Sequence, residues 1–182
     1  MIKTSFITGL SLFTTYLIQH QAIKVDIKTK MTLSFTIDNI HKSELPLLLP
    51  LWESSVRASH HFLGKEDIAF FKKMIIENEV FAHFHEKEHL YVARNEMGKI
   101  LGFIGVSGTA LEMLFLDPTF FGLGIGTFLV NFVIQKHKVS KVEVNEQNVQ
   151  GVLFYKKMGF KVVGRTETDP SGKPFPHLIM EI

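Results

Sequence analysis

Apolar and polar positions alternate through Leu33-Ser34-Phe35-Thr36-Ile37, the two-residue period of a half-buried strand. Ser43 to Arg57 changes rhythm, with Leu45, Leu48, Leu49, Trp52 and Val56 recurring at helical spacing. Pro46 suits a first helical turn, where its missing N–H costs nothing, whereas Pro50 predicts a kink or a restart. Ser59-His60-His61-Phe62-Leu63-Gly64 reads as a loop. From Lys65 to Phe84, a rough three-to-four spacing of Ile68, Phe71, Ile75, Val80 and Phe84 predicts one or two further helices.

Strand patterns then take over. His89 to Ala93 reads as a strand, Asn95-Glu96-Met97-Gly98 as a turn and Ile100 to Val106 as the returning strand. Leu111 to Leu116 is the next strand, stopped by Asp117-Pro118. Gly124 to His137 carries an apolar face through Ile125, Phe128, Leu129, Phe132 and Val133, so a helix is expected there. Lys141 to Asn145 is a short strand, and Val149 to Met158 a second helix with Gly159 just past its end. Phe160 to Gly164 and His177 to Ile182 would close the sheet as a hairpin-like pair. No repeat, low-complexity tract or linker interrupts this order, so one α/β (α+β layered) domain is expected.

Residues 1–30 read differently. Their apolar stretch from Phe6 to Ile18 is diluted by Ser and Thr and is shorter than the roughly 20 residues that span a bilayer. It imitates a secretory signal without a small-x-small cleavage site. The expectation is a leader outside the domain, of the kind an upstream start would add, with the domain running from Met31 to Ile182 and no stable membrane insertion. Charge is uneven as well. Lys3, Lys24, Lys28 and Lys30 face only Asp26 in this stretch, a net +3, which leaves −1 for the rest of a chain whose total is +2.

A nearly neutral body offers no broad basic surface, which argues against nucleic acid as a partner. Of 182 residues, 46% are hydrophobic and 21% charged, ordinary for a globular protein and too apolar for a disordered one. Zero cysteines exclude a disulfide framework, thiolate metal ligands and a thioester intermediate on the enzyme, and suit the cytoplasm. His83-Phe84-His85-Glu86-Lys87-Glu88-His89 is rich in potential ligands, yet no H-E-x-x-H or similar spacing appears; a solvated helix-to-strand turn without metal is expected.

The most informative stretch is Leu114-Phe115-Leu116-Asp117-Pro118-Thr119-Phe120-Phe121-Gly122-Leu123-Gly124-Ile125-Gly126-Thr127. A buried strand runs into a glycine-rich turn and then an amphipathic helix. Residues without a Cβ let successive N–H groups converge on an anion, and the helix adds its free amides and positive dipole end. That is a phosphate or pyrophosphate cradle by physics, although G-x-G-x-G alone also suits any tight strand-to-helix turn. Neither G-x-x-x-x-G-K-[ST] nor the dinucleotide spacing G-x-G-x-x-G is present.

A second stretch adds discrimination: Asn145-Glu146-Gln147-Asn148-Val149-Gln150-Gly151-Val152-Leu153-Phe154-Tyr155-Lys156-Lys157-Met158-Gly159-Phe160. Together the two resemble the GNAT superfamily of acetyl-CoA-dependent N-acetyltransferases, with its [QR]-x-x-G-x-[GA] helix start followed, after a strand, by N-x-x-A-x-x-F-Y-x-K-x-G-F. The likeness runs from about Leu33 to the C-terminus and looks closest to small bacterial members. It departs at Phe121, which replaces the [QR] residue, and at Gly151, which replaces the usual alanine.

The resemblance implies a mixed, mostly antiparallel sheet of six to seven strands flanked by about four helices. It also implies acetyl-CoA as co-substrate and a primary amine as acceptor, a small molecule or a protein amine, in direct attack within a ternary complex. Leu114, Phe115 and Leu116 would offer backbone groups to the pantetheine arm, and Gly122, Leu123, Gly124, Ile125, Gly126 and Thr127 would hold the pyrophosphate. Asn148 would hydrogen-bond the arm, and Tyr155 would return a proton to the departing thiolate. Glu112, on a strand face shared with Leu114 and Leu116, is the candidate base, with Glu143 its rival. His60 is expected to border the acceptor pocket. A non-catalytic acyl-CoA-binding module is the alternative function, and a homodimer is compatible with the sequence.

Overall fold

The computed structural model describes residues 23–26 and 32–182. Eight strands form one sheet: β1 (Ile23–Asp26), β2 (Thr32–Asn39), β3 (Leu90–Asn95), β4 (Ile100–Ser107), β5 (Ala110–Leu116), β6 (Lys141–Asn145), β7 (Lys161–Thr166) and β8 (His177–Glu181). Their spatial order is β1-β2-β3-β4-β5-β6-β8-β7, and every adjacent pair is antiparallel except β5 and β6. The sheet therefore exceeds the six to seven strands expected, because β1 comes from the stretch read as a leader; the rest of residues 1–31 lies outside the described residues.

Five α-helices cover the sheet: α1 (Leu48–Ser59), α2 (Lys65–Glu77), α3 (Val80–Glu86), α4 (Ile125–His137) and α5 (Val149–Lys157). On one face, Leu101, Ile104 and Val106 of β4 pack with Leu129, Val130 and Val133 of α4 and with Tyr155 of α5. On the other, Val92 and Phe103 pack with Trp52 and Val56 of α1, Ile68 of α2 and Phe81 of α3. Central β4 is buried on both sides, which is why its sequence reads as a continuous apolar run.

Pro50 acts as a restart. A 3-10 turn over Lys42–Leu47 contains Pro46, and α1 then begins at Leu48, so Pro50 falls in the first turn of α1, where a missing N–H is tolerated. Arg94 of β3 clips that 3-10 turn to the sheet through two bonds to Glu44, at 2.7 and 2.6 Å. Glu79, left-handed at φ 48°, separates α2 from α3. No helix among the described residues is long and apolar enough to cross a membrane.

Candidate active site

The site begins where a pair of strands parts. β5 and β6 face each other only at Ala110–Lys141 and Leu111–Val142, yet β5 stays in register with β4 as far as Leu116. Residues 112–116 therefore have one edge open. Which backbone groups use it follows from alternation. The Asp117 N–H donates to Leu101 O of β4 at 2.8 Å, so Phe115 and Met113 also turn their backbone toward β4. Leu114 and Leu116 turn theirs into the gap. Leu116 confirms this, donating its N–H to Ser55 Oγ of α1 at 3.3 Å.

A β-bulge lies at the head of the gap. Gly105 faces Met113 whereas the next residue, Val106, faces Leu111, which leaves Glu112 as the extra residue. This corrects the strict alternation on which the face of Glu112 was read. Leu111 and Leu114, three apart, both pack on the α4 side, whereas Met113 and Phe115 pack on the α1 side. Sequence alternation could not reveal the bulge, because it depends on the strand opposite.

At the other end of β5, Asp117 caps a short 3-10 turn by accepting from the Thr119 N–H at 3.0 Å. The chain then turns through Gly122 at φ 75° and Gly124 at φ 88°, values that only glycine adopts readily. Gly124 is the N-cap of α4, and its carbonyl accepts from Phe128. The backbone N–H groups from Gly122 to Thr127 donate to nothing among the described residues. A thirteen-residue helix thus points a row of unspent amides, with the positive end of its dipole, at the mouth of the gap. A diphosphate fits such a cradle. Phe121, 39% exposed, stands beside it.

One cavity of about 900 Å³ joins these parts. Glu112, Leu114, Phe115, Leu116, Gly122, Gly126, Asn148 and Tyr155 all line it. Leu123, Gly124, Ile125 and Thr127 do not, and Ile125 is wholly buried in the core, so its own contribution is confined to the backbone amide. Glu143 lines the cavity too, together with His60, Asp169 and His177. Although three carboxylates face the space, no lysine or arginine among the described residues does.

Tyr155 is 7% exposed and wedged edge-on between Phe154 and Phe160, at 5.1 and 5.8 Å. Burial alone pushes its phenol well above the ordinary tyrosine range, with no charge or hydrogen bond to offset it. It therefore keeps its proton at neutral pH. Burial, followed by the like charge of Glu143, also pushes the Glu112 carboxyl upward, with Lys141 opposing.

The histidines separate by environment. His60, at the C-terminus of α1, is pushed down to about 4 by burial, with His177 and His61 adding to the effect. His85 and His89 do not share a helix face, because α3 ends at Glu86; His89 instead packs against His137 at 5.1 Å. No group of three or more His, Asp or Glu among the described residues is placed to hold a metal. The sequence reading missed Ser55, Asp169 and His177. Ser55 carried a signal as a small polar residue on an otherwise apolar helix face, and Asp169 as part of a tail that resembles small bacterial family members; His177 carried none.

A family profile described as the acetyltransferase (GNAT) domain matches residues 61–181. Peptidyl-lysine N-acetyltransferase YjaB of Salmonella typhimurium is 39% identical over 131 residues, spanning 72% of this chain and 86% of that protein. Peptidyl-lysine N-acetyltransferase YiaC of Escherichia coli is 29% identical over 147 residues, 76% of this chain and 91% of that protein. The solution structure of apo YjaB from Escherichia coli, 37% identical, aligns with a TM-score of 0.70 over 81% of this chain and 96% of that one. The PaiA N-acetyltransferase of Thermoplasma acidophilum, solved in complex with coenzyme A, shares the fold at a TM-score of 0.65 and 22% identity, over 82% of this chain and 98% of that one.

Proposed function

Because the chain belongs to the acetyltransferase (GNAT) domain family, we propose that it moves the acetyl group of acetyl-CoA directly onto a primary amine, with both substrates bound together. One observation carries this reading: the parting of β5 from β6 opens between the unspent amides of α4 and a buried, protonated Tyr155. In its place in the fold, acetyl-CoA would supply an acyl group activated as a thioester.

The amides from Gly122 to Thr127 would hold the diphosphate, and Leu114 and Leu116 would pair with the pantetheine arm along the open edge. Phe115, with its backbone spent on β4, serves instead as a packing residue against Trp52 and Phe103. Asn148 would donate to the arm from the opposite wall. The carbonyls of Leu114 and Leu116 are the groups left for the arm: Ser55 already occupies the Leu116 N–H, and the Leu114 N–H is the donor for negative charge developing on the thioester carbonyl oxygen.

An alkyl amine arrives protonated, with a pKa near 10.4, and must lose a proton to attack. Glu112 takes that proton, directly or through water, and its raised pKa suits it to the task. As the new C–N bond forms and the C–S bond breaks, Tyr155 gives its proton to the leaving sulfur, and the second proton shed by the attacking nitrogen returns through water to the phenolate. A cavity lined by three carboxylates and, among the described residues, by no lysine or arginine favours a cationic acceptor. Lysine side chains of polypeptides fit that preference, as the names of the YjaB and YiaC relatives also suggest. A cytoplasmic site of action would suit a reaction that consumes acetyl-CoA.

The deciding assay measures thiol release from acetyl-CoA with lysine peptides, polyamines and amino acids as acceptors. Turnover with a lysine peptide is the expected result. Coenzyme binding without transfer to any amine would favour the alternative, a non-catalytic acyl-CoA-binding module.

A further inference from the structure

Asn148 caps α5 by accepting the Gly151 N–H at Oδ1, 3.0 Å away. This bond settles which way its amide points, because a reversed amide would set NH2 against N–H. Nδ2 is therefore the end of the amide left without the helix as partner, and it meets His60 Nε2 at 3.4 Å, across 88 residues of sequence.

The tautomer of His60 follows from its other nitrogen. Nδ1 lies 2.8 Å from Ser59 Oγ, and that hydroxyl donates its own hydrogen to Ser55 O at 2.7 Å. Ser59 can therefore only accept from His60, which puts the imidazole proton on Nδ1 and a lone pair on Nε2. Protonation, or the opposite tautomer, would place N–H against N–H at Asn148. The groups around the ring keep it neutral: burial dominates, His177 and His61 disfavour a second positive charge, and Phe62 packs against it at 5.5 Å.

Gly151 completes the arrangement. A Cβ there would stand 2.8 Å from Asn148 Nδ2 and 3.2 Å from Val144 Cγ2. The helix thus carries glycine, a poor helix former, where the Asn148 amide folds back across it.

We propose that His60 is a positioning residue: its Nε2 lone pair fixes the Asn148 amide so that the second Nδ2 hydrogen is presented to the coenzyme A arm between β5 and β6. The inference rests on the coenzyme reading of that gap. It joins the loop after α1 to the helix that carries Tyr155 through one continuous chain, Ser55–Ser59–His60–Asn148–Gly151.

Calorimetry with coenzyme A on the full chain tests it. His60→Ala removes the acceptor. Asn148→Ser keeps a capping oxygen for α5 and removes the donor. Each is expected to raise the coenzyme Kd about tenfold, the net worth of one hydrogen bond, with the double variant no weaker than either single one. His60→Gln, whose Oε1 can accept, should recover most of the affinity. Independently, imidazole nitrogen-15 shifts of the unliganded protein should report the Nδ1–H tautomer down to about pH 5.

A coenzyme Kd indifferent to His60→Ala overturns the proposal, as do additive effects in the double variant or an Nε2–H tautomer. An effect of His60→Ala confined to the KM of the amine also overturns it, leaving His60 as acceptor-pocket lining. Unaltered protein that bound no coenzyme A would instead sink the reading of the gap itself, a result distinct from all of these.

Discussion

Leu111 and Val142 are the final facing pair between β5 and β6; one residue later the two strands have parted. Glu112 is that next residue, and it is also the bulge residue of β5. The break in pairing and the candidate base thus coincide. A bulge increases local twist, which gives a physical reason for the strands to diverge at this point.

Tyr155→Phe is expected to lower kcat about a hundredfold or more, the usual scale of a lost general acid, while the calorimetric Kd for coenzyme A stays within about twofold. Phenylalanine preserves the edge contacts with Phe154 and Phe160, so the fold should survive. Unchanged turnover would remove Tyr155 from the chemistry.

Only a carboxylate can accept a proton, so activity should climb as pH rises through the elevated pKa of Glu112. Glu112→Gln should abolish that acid limb of the pH–rate profile. Glu143→Gln should shift it to lower pH, because the like charge that helps raise Glu112 is gone. A limb that persists in Glu112→Gln excludes this residue as the base.

Phe121→Arg should tighten coenzyme A binding several-fold and make it salt-dependent, since it adds a cation beside amides that are already unspent. Calorimetry at two ionic strengths provides the check. No gain at low salt would mean that the diphosphate lies elsewhere.

Glu44→Gln should destabilise the fold by roughly 1–2 kcal/mol at neutral pH, because it breaks a two-bond, partly buried pair with Arg94. The sign of its pH dependence follows from the lowered pKa of Glu44, for which the hydrogen bond from Arg94 is the main cause. The contribution is complete above the ordinary carboxylate value of 4.5 and disappears as pH falls through the lowered one. Urea unfolding of both forms from neutral to acid pH should show the two curves converging.

Local periodicity carried most of the architecture. The alternation of Leu33 to Ile37, the apolar face of Gly124 to His137 and the turn at Asn95 to Gly98 each need only their own neighbours, and each appears where it was read. What depends on distant partners was invisible. The register shift at Glu112 is set by β4, and so is the turning of the Phe115 backbone toward β4 rather than into the gap, which the Asp117–Leu101 bond two residues on reveals. The pairing of His60 with Asn148 spans two helix ends that meet only in the folded chain. The glycine turn and Tyr155 were legible for a different reason: together they follow a recurrent pattern that composition alone could not supply.

β8, although it follows β7 in the chain, is inserted between β6 and β7, and it seats His177 opposite Asn145. While a ribosome is still extending the polypeptide, β7 therefore emerges with nothing to bond to, and the floor beside Glu143 is half built. Among the described strands β7 pairs only with β8, so residues 177–181 must be in place before either strand is held against β6.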